Sequence, residues 1–252
     1  MPEDLPHSPY PFTFLACTYN LWGAERWEER RAPIQRFLEV NRPDILCLQE
    51  LTPGACELID STLTTHRRVE DPFPGWTQEG NIYWNTEVFD LVEYGAEDVG
   101  ILEEARRLFW VRLVARSGAT VVVSTAHFSW LWDVGASGEW VTVRVAQAQA
   151  AVAALDDVVQ PDEPVLFMGD FNSYLYPINV MRDGGFEDSF QPLGRAPAIT
   201  HPAFPTAEPP SLLDWMMHRG RIRPTLTSVV DFYVDGVPPS DHKPILTTYS
   251  LI

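Results

Sequence analysis

The stretch Val165-Leu166-Phe167-Met168-Gly169-Asp170-Phe171-Asn172 places an acid and an amide directly after an apolar run of strand length. Gly169 frees the backbone at this point. Asp170 and Asn172 lie two residues apart, so they share one side if the chain stays extended. An aspartate can bind a metal ion or accept a proton, and an asparagine can donate to an anion. Taken alone, the stretch also fits an ordinary turn, because Gly, Asp and Asn commonly follow strands in turns.

Working outward, other acids, amides and histidines also lie at or near the ends of apolar runs. Each has a structural interpretation of its own: a turn residue, a solvated strand end or a hydrogen-bonded core histidine. Asp214, within the strand candidate Leu212 to Met217, is harder to explain in this way, because a buried carboxylate must be paired or hydrogen-bonded. Independent turns are not expected to place such residues at the same kind of position throughout the chain. The residues concerned are Asn20, Glu50, His127, Asp170, Asn172, Asp214, Asp241 and His242.

Strand and helix candidates alternate along the chain, which predicts an α/β protein. No internal repeat, low-complexity tract or linker interrupts the sequence, so we expect a single domain over residues 1–252. The helix candidates are Arg26 to Asn41, Pro53 to Leu63 and Val141 to Leu155. The strand candidates are Phe12 to Tyr19, Ile45 to Gln49, Gly80 to Trp84, Val88 to Tyr94, Phe109 to Ala115, Thr120 to Thr125, the run before Asp170, Leu212 to Met217, Thr227 to Asp231 and Ile245 to Ser250.

Composition limits the classes of function. The formal net charge of -17 disfavours tight, sequence-independent binding to long duplex DNA. Three cysteines, Cys17, Cys47 and Cys56, are too few for a disulfide framework and are expected to be reduced core thiols. No signal peptide or membrane span is recognisable, so a cytoplasmic location is expected. The sequence leaves the oligomeric state open.

Seven short motifs together resemble those of the endonuclease/exonuclease/phosphatase superfamily, the group that includes deoxyribonuclease I. They run from residue 18 to residue 244 and so cover nearly the whole chain. No single motif is specific, but their order and neighbours are. The motifs are Thr18-Tyr19-Asn20-Leu21, Leu48-Gln49-Glu50, Glu79-Gly80-Asn81, Thr125-Ala126-His127-Phe128, Gly169-Asp170-Phe171-Asn172, Leu213-Asp214-Trp215 and Ser240-Asp241-His242-Lys243-Pro244.

The resemblance implies a four-layered α/β sandwich, in which two packed mixed β-sheets are flanked by helices and the site lies at one edge. It also implies a Mg²⁺-dependent phosphoric ester hydrolase, with Mn²⁺ as the alternative metal. Glu50 would bind the metal ion, with Asn20 beside it and Asp241 assisting. Oxygen ligands of this kind suit a hard divalent cation. Trp22 stands where abasic-site endonucleases carry a further acid, which points away from that branch.

The same resemblance implies a role for each remaining motif residue. Asp170 would orient or deprotonate the attacking water, and Asn172 would hold that water or a phosphate oxygen. His242, poised by Asp214, and His127 would donate to the phosphate. Hydrolysis of a phosphate ester needs such donors, because negative charge grows on the phosphate oxygens. In this scheme Glu79 orients His127.

The sequence is least informative about the substrate. A small phosphorylated molecule or a short nucleotide is the hypothesis, a DNA or RNA nuclease is the alternative, and a non-catalytic binding module is a third class. Specificity is expected in loops, including the Trp-rich segment Ser129 to Trp140 and the segment His66 to Trp76. Trp130, Trp132 and Trp140 could stack on bases or cover an apolar group, or could simply cap the sheet edge.

Overall fold

The computed structural model describes residues 11–130 and 143–252, in which two β-sheets pack against each other. The first sheet has the strand order β11-β12-β1-β2-β4-β3. Its central pair, β1 and β2, is parallel, and its other pairs are antiparallel. Numbered in chain order, its strands are β1 (Thr13–Asn20), β2 (Ile45–Gln49), β3 (His66–Arg68), β4 (Gly80–Asn85), β11 (Ile222–Val229) and β12 (Ile245–Leu251).

The second sheet has the strand order β5-β6-β7-β8-β10-β9 and is also mixed. Here the central parallel pair is β7 and β8, with antiparallel neighbours on both sides. The two sheets therefore share one design, in which a parallel pair sits at the centre. The strands are β5 (Phe89–Glu97), β6 (Leu108–Ala115), β7 (Thr120–His127), β8 (Val165–Asp170), β9 (Glu187–Asp188) and β10 (Asp214–Arg219).

Helices cover the outer faces of both sheets. Phe37 and Ile59 belong to a core shared by two helices and the first sheet, and Leu155 and Met181 belong to a core shared by two others and the second sheet. The architecture is thus the predicted α/β sandwich of four layers. The helices are α1 (Trp27–Asn41), α2 (Pro53–Thr62), α3 (Gly75–Gln78), α4 (Val143–Val158) and α5 (Tyr176–Asp183), with a 3₁₀ turn at Gln191–Leu193.

Strand β8 shows why the apolar run before Asp170 is unbroken. Leu166 and Met168 lie in the core between the sheets, whereas Val165 and Phe167 lie in the core beneath α4 and α5. A strand buried on both faces carries apolar residues at every position, because neither face meets water. The run therefore ends where the strand reaches the edge of the sandwich.

Several boundaries differ from the sequence prediction. The stretch after α2 was predicted as a loop but contains β3 and α3. No helix or strand is predicted between residues 172 and 212, but the chain forms α5 and β9 there, and β11 begins before the predicted Thr227. Asp214 was predicted at the centre of its strand, but it is the first residue of β10. Leu212 and Leu213 precede the strand, and the backbone N–H of Leu213 donates to the side chain of Thr200 at 3.0 Å.

The three cysteines are free and buried, as predicted. Burial raises the pKa of each thiol, because a thiolate would lose its hydration inside the core. Within residues 11–130 and 143–252, no helix combines the length and apolar character needed to cross a membrane.

Candidate active site

The two central parallel pairs and the strand beside one of them bring five of the predicted residues to one edge of the sandwich. In the first sheet Asn20 ends β1 and Glu50 follows β2. In the second sheet His127 and Asp170 are partners at the ends of β7 and β8. Asp214, the first residue of the antiparallel β10, is the partner of Asp170 on its other side. The side chains converge because parallel strands end at the same edge.

Asp170 lies at the centre of this group and is almost fully buried. Its Oδ2 accepts a hydrogen bond from Asn20 Nδ2 at 3.0 Å and lies 3.3 Å from His127 Nε2 and 3.7 Å from His242 Nε2. Its Oδ1 accepts the backbone N–H of Asn172 at 2.9 Å. Both oxygens are thus fixed in position, which suits a carboxylate that must orient a small reactant.

Gly169 is required by the path of the backbone into this site. Its φ of 153° is one that L side chains rarely adopt, and a Cβ at this position would overlap the backbone oxygen of Ala126 on β7. The close approach sets the spacing between β7 and β8 at the point where His127 and Asp170 pair. The glycine in the motif therefore has a structural reason.

Asn20 is oriented differently from the prediction that made it a metal ligand. Its Oδ1 accepts the backbone N–H of Trp22 at 2.9 Å, and its Nδ2 donates to Glu50 Oε1 and Asp170 Oδ2, both at 3.0 Å. The backbone donor on one side and the two carboxylates on the other determine which end of the amide is oxygen. In this orientation the amide nitrogen contacts the two carboxylates, and only Oδ1, which faces Trp22, could bind a cation. The role of Asn20 as a metal ligand stays a prediction.

Glu50 sits in an environment that disfavours its charge. Burial raises the pKa of its carboxyl group, and the negative charges of Asp170 and Asp241 add to that rise, while the hydrogen bond from Asn20 opposes it. A divalent cation would offset this repulsion. Glu50 also has a left-handed backbone, with φ of 51°, because the chain turns sharply on leaving the sheet edge.

His242 is held by Asp214 through a hydrogen bond of 2.7 Å from Nδ1 to Asp214 Oδ2. Burial by itself would lower the pKa of this imidazole. The carboxylates of Asp214 and Asp170 outweigh burial and raise the pKa to about 10. The raised pKa keeps His242 protonated at neutral pH, with Nδ1–H directed at Asp214 and Nε2 3.7 Å from Asp170 Oδ2.

His127 has the opposite electrostatic character. Burial lowers its pKa to about 3, with Asp170 opposing and Arg106 adding to the effect, so it is neutral at neutral pH. Its Nδ1 has no hydrogen-bond partner among the described residues and lies 4.0 Å from Glu50 Oε1. One buried polar atom of His127 is thus left for a water or ligand in the cleft.

Glu79 does not orient His127 in the way that was predicted. Its carboxylate accepts a hydrogen bond from Arg106 Nε at 2.8 Å, and its side chain is about a quarter exposed. The guanidinium competes successfully for the carboxylate because a charged donor bonds more strongly than a neutral imidazole. Arg106 in turn lines the same cleft as His127, so Glu79 influences the site through Arg106.

Asn172 occupies the turn that follows Asp170, and the structure combines both interpretations of this motif. The residue has φ of 48°, and its backbone N–H returns to the side chain of Asp170, so the chain does not stay extended. Its Nδ2 donates to the carbonyl oxygen of Phe128 at 2.8 Å, and the side chain still lines the cleft. The motif is a turn and also part of the site.

These residues line an open cleft of about 540 Å³. Arg106 and Arg144 supply guanidinium groups on its wall, and Trp130, 62% exposed, stands at its rim. Trp132 and Trp140, which were also predicted near the site, lie outside the described residues. The segment His66–Arg68 forms β3 and pairs with the end of β4 remote from Gly80, so it does not reach the cleft.

Arg30 and His201 are among the residues at the site that were not identified from the sequence. Arg30 was one of a cluster of arginines, but it is buried and donates to the carbonyl oxygens of Leu21 and Pro239 at 2.6 and 2.8 Å. It thereby ties the turn after β1 to the segment before Asp241. His201 lines the cleft beside His242, with ring centroids 4.7 Å apart. The sequence carries no local sign of either contact, because each joins segments far apart in the chain.

A model of the endonuclease/exonuclease/phosphatase family matches residues 17–242. No match was found among curated proteins. Among solved structures, D. rerio TDP2 complexed with single-strand DNA product has a TM-score of 0.79 at 19% identity, covering 94% of this chain and 99% of that one. A mannosyl-6-phosphatase from Bacteroides thetaiotaomicron has a TM-score of 0.76 at 18% identity, covering 95% and 99%.

The catalytic domain of human nocturnin with a bound sulfate anion has a TM-score of 0.75 at 18% identity, covering 96% of this chain and 94% of that one. At these identities the likeness to solved structures shows the fold. The family model is evidence of family membership, since it matches most of the chain and includes every strand end that forms the cleft. The chain therefore belongs to the endonuclease/exonuclease/phosphatase family.

Proposed function

We propose that this protein is a Mg²⁺-dependent phosphoesterase that hydrolyses a phosphate ester of a small molecule or a short nucleotide. Members of the family are hydrolases that act on phosphate esters. The observation that carries the proposal is the convergence on buried Asp170. Its Oδ2 faces Asn20 and two histidines, of which His127 is neutral and His242 is protonated. A purely structural aspartate would not need this combination of neighbours.

The residues present fit a divalent cation. Glu50 is a partly buried carboxylate whose pKa is raised by burial and by the charges of Asp170 and Asp241, which is the situation that a bound cation relieves. Glu50 would be the principal ligand, and Asp241 would assist it. Carboxylate oxygens suit Mg²⁺, and Mn²⁺ is the alternative. When bound, such an ion supplies positive charge to phosphate oxygens.

Asp170 would orient the attacking water and accept its proton. Asn20 and the backbone of Asn172 hold its two oxygens, so the carboxylate does not need to reorganise when water binds beside it. The water oxygen forms a bond to phosphorus while the bond from phosphorus to the leaving oxygen breaks. The proton of the water passes to Asp170 or through it to solvent.

His242 would stabilise the charge that develops on the phosphate. Its pKa of about 10 keeps Nε2 protonated, and the bond to Asp214 keeps the ring in place. A cationic N–H donor already aimed into the cleft needs little reorganisation when charge develops on the phosphate. Asn172, whose side chain lines the cleft, would hold a phosphate oxygen or the water.

His127 would act as a neutral hydrogen-bonding group beside Asp170. Its Nε2 lies near Asp170, and its Nδ1 has no hydrogen-bond partner among the described residues. A water or a phosphate group could therefore hydrogen-bond to Nδ1. Glu79 would act through Arg106, whose guanidinium it orients on the wall of the cleft. The guanidinium would then add positive charge near the phosphate.

The charge of the chain favours a small substrate. The net charge of -17 repels polyanions, and Glu208 adds negative charge to the wall of the cleft. The structural similarity to a mannosyl-6-phosphatase supports a small phosphate ester. The similarity to TDP2 complexed with single-strand DNA product keeps a DNA or RNA nuclease as the second candidate.

The test is hydrolysis of a panel of small phosphate esters and short nucleotides beside plasmid DNA and long oligonucleotides, with Mg²⁺ and with chelator. We expect metal-dependent release of phosphate or alcohol from small esters, and its loss in Asp170→Ala and His242→Ala variants that still fold. Preferential cleavage of the long nucleic acids would establish the nuclease alternative. No hydrolysis of any substrate, with no calorimetric Mg²⁺ binding, would instead indicate a non-catalytic binding module.

A further inference from the structure

A cluster of metal-ligating side chains lies next to the proposed catalytic groups. His201, Asp241 and His242 each offer a ligand atom, and these atoms all lie within 4.8 Å of one another. His201 Nε2 is 3.7 Å from Asp241 Oδ2. Ligands about 2 Å from a shared ion are about 3 to 4 Å apart, so a modest adjustment would bring the three onto one ion.

The backbone holds two parts of this cluster together. The backbone N–H of Ala203 donates to the carbonyl oxygen of Asp241 at 2.5 Å, and the backbone N–H of Lys243 donates to the carbonyl oxygen of Thr200 at 2.7 Å. The segment that carries His201 is therefore clamped against the segment that carries Asp241 and His242. Sites whose ligands are fixed by such contacts bind with less loss of conformational entropy.

The ligand atoms make only long contacts with carboxylates, between 3.5 and 3.7 Å. Among the described residues, neither ring nitrogen of His201 makes a hydrogen bond, and Asp241 Oδ2 makes none either. Glu208 Oε2 lies 3.5 Å from His201 Nε2 and adds a second negative charge. The carboxylates of Asp241 and Glu208 attract a cation to the two imidazoles.

His242 has the outer partner that a metal-binding histidine usually has. Metal-ligating histidines generally donate their second ring N–H to a carboxylate, which fixes the tautomer and strengthens the ligand. His242 Nδ1 makes this contact with Asp214 at 2.7 Å, which leaves Nε2 for an ion. Binding would expel the proton from Nε2, as metal binding to histidine does in general.

We propose that His201, Asp241 and His242 form a second cation site, selective for a transition metal ion such as Zn²⁺, at the edge of the cleft. Two nitrogen ligands and one carboxylate suit Zn²⁺, whereas Mg²⁺ prefers oxygen ligands such as Glu50. Occupation of this site takes Nε2 of His242 away from the phosphate. Zn²⁺ therefore inhibits hydrolysis, a consequence that rests on the proposed function, while the binding itself does not.

The test is calorimetric titration of Zn²⁺ into the full chain in excess Mg²⁺, with Co²⁺ absorption as a spectroscopic readout of nitrogen ligation. We expect one Zn²⁺ per chain in the wild type, binding weakened at least about tenfold in His201→Gln, and little change in Glu50→Gln or in the exposed control Glu87→Gln. Wild-type affinity in His201→Gln, or no Zn²⁺ binding by the wild type, would overturn the site.

The inhibitory consequence is measured separately, with the best substrate of the panel. Zn²⁺ should inhibit the wild type at concentrations that fill the site, and His201→Gln should need at least about tenfold more Zn²⁺ for the same inhibition. Zn²⁺ binding without inhibition would overturn the regulatory consequence alone. Zn²⁺ binding without any hydrolysis to inhibit would contradict the proposed function and leave the metal site standing.

Discussion

Replacing Asp214 by asparagine tests how His242 is kept protonated. The substitution preserves the shape and a hydrogen-bond acceptor for Nδ1, but it removes the negative charge 2.7 Å away. In the wild type the pKa of His242 rises from 6.5 to about 10, a preference for the protonated form of about 5 kcal/mol. Asp214 provides both the strongest attraction and a charged hydrogen bond, whereas Asp170 provides the next attraction.

Since Asp170 remains, we expect the pKa of His242 to fall by about 2 pH units in Asp214→Asn. The folded-state pKa of the wild type lies above the unfolded value, so its contribution to stability is complete below pH 6.5 and is lost as the pH rises through about 10. At pH 6 the variant should therefore lose about 3 kcal/mol of unfolding free energy from this source.

The assay is an NMR titration of the His242 ring in ¹³C-histidine-labelled protein, assigned with His242→Gln, beside the pH–rate profile. The alkaline limb of the pH–rate profile should move to lower pH by the same amount as the pKa of the His242 ring. Asp188→Asn is the control, because Asp188, on the adjacent strand β9, is an equally buried carboxylate that accepts a hydrogen bond from Arg182 of α5. An unchanged His242 titration in folded Asp214→Asn would refute the reasoning.

Two further outcomes concern the backbone and the second histidine. Gly169→Ala should lower the free energy of unfolding in urea by at least about 2 kcal/mol, because the added methyl group overlaps the backbone of Ala126. The control Gly118→Ala, at a glycine in open space with φ of 84°, should lower it by only about 1 kcal/mol. Equal losses in the two variants would contradict this account. His127 should make folding acid-sensitive. Its pKa of about 3 lies below the unfolded value, so stability falls as the pH drops from 6.5 toward 3, by about 1.4 kcal/mol per pH unit. This slope should disappear in His127→Gln, and its persistence there would assign it to another group.

The sequence predicts the strand ends of the site well, because each carries a local sign. An apolar run such as Val165–Met168 must be a buried strand, and a polar residue directly after it must lie at the edge of the sheet. Asp170, Glu50 and His127 could be found in this way. Their convergence follows from two parallel strand pairs, which are seen only in the folded chain; the family resemblance implies mixed sheets with the site at one edge.

The remaining details depend on contacts between distant segments. The orientation of Asn20 is set by the backbone N–H of Trp22, and the partner of Glu79 is set by where Arg106 lies in the folded chain. His201 reaches the cleft because residue 203 bonds Asp241, 38 positions later. A local pattern does not encode such pairs, so ligand roles and second partners could not be assigned from the motifs.

The central claim is that Asp170 directs a water molecule to the phosphorus atom. The most direct measurement is single-turnover hydrolysis of the best panel substrate in ¹⁸O-labelled water, with wild type and Asp170→Asn compared at saturating Mg²⁺. The account predicts ¹⁸O in the phosphate product and none in the alcohol, with a rate lower by about 10²- to 10⁴-fold in folded Asp170→Asn. Label in the alcohol, or an undiminished rate in the variant, would contradict it.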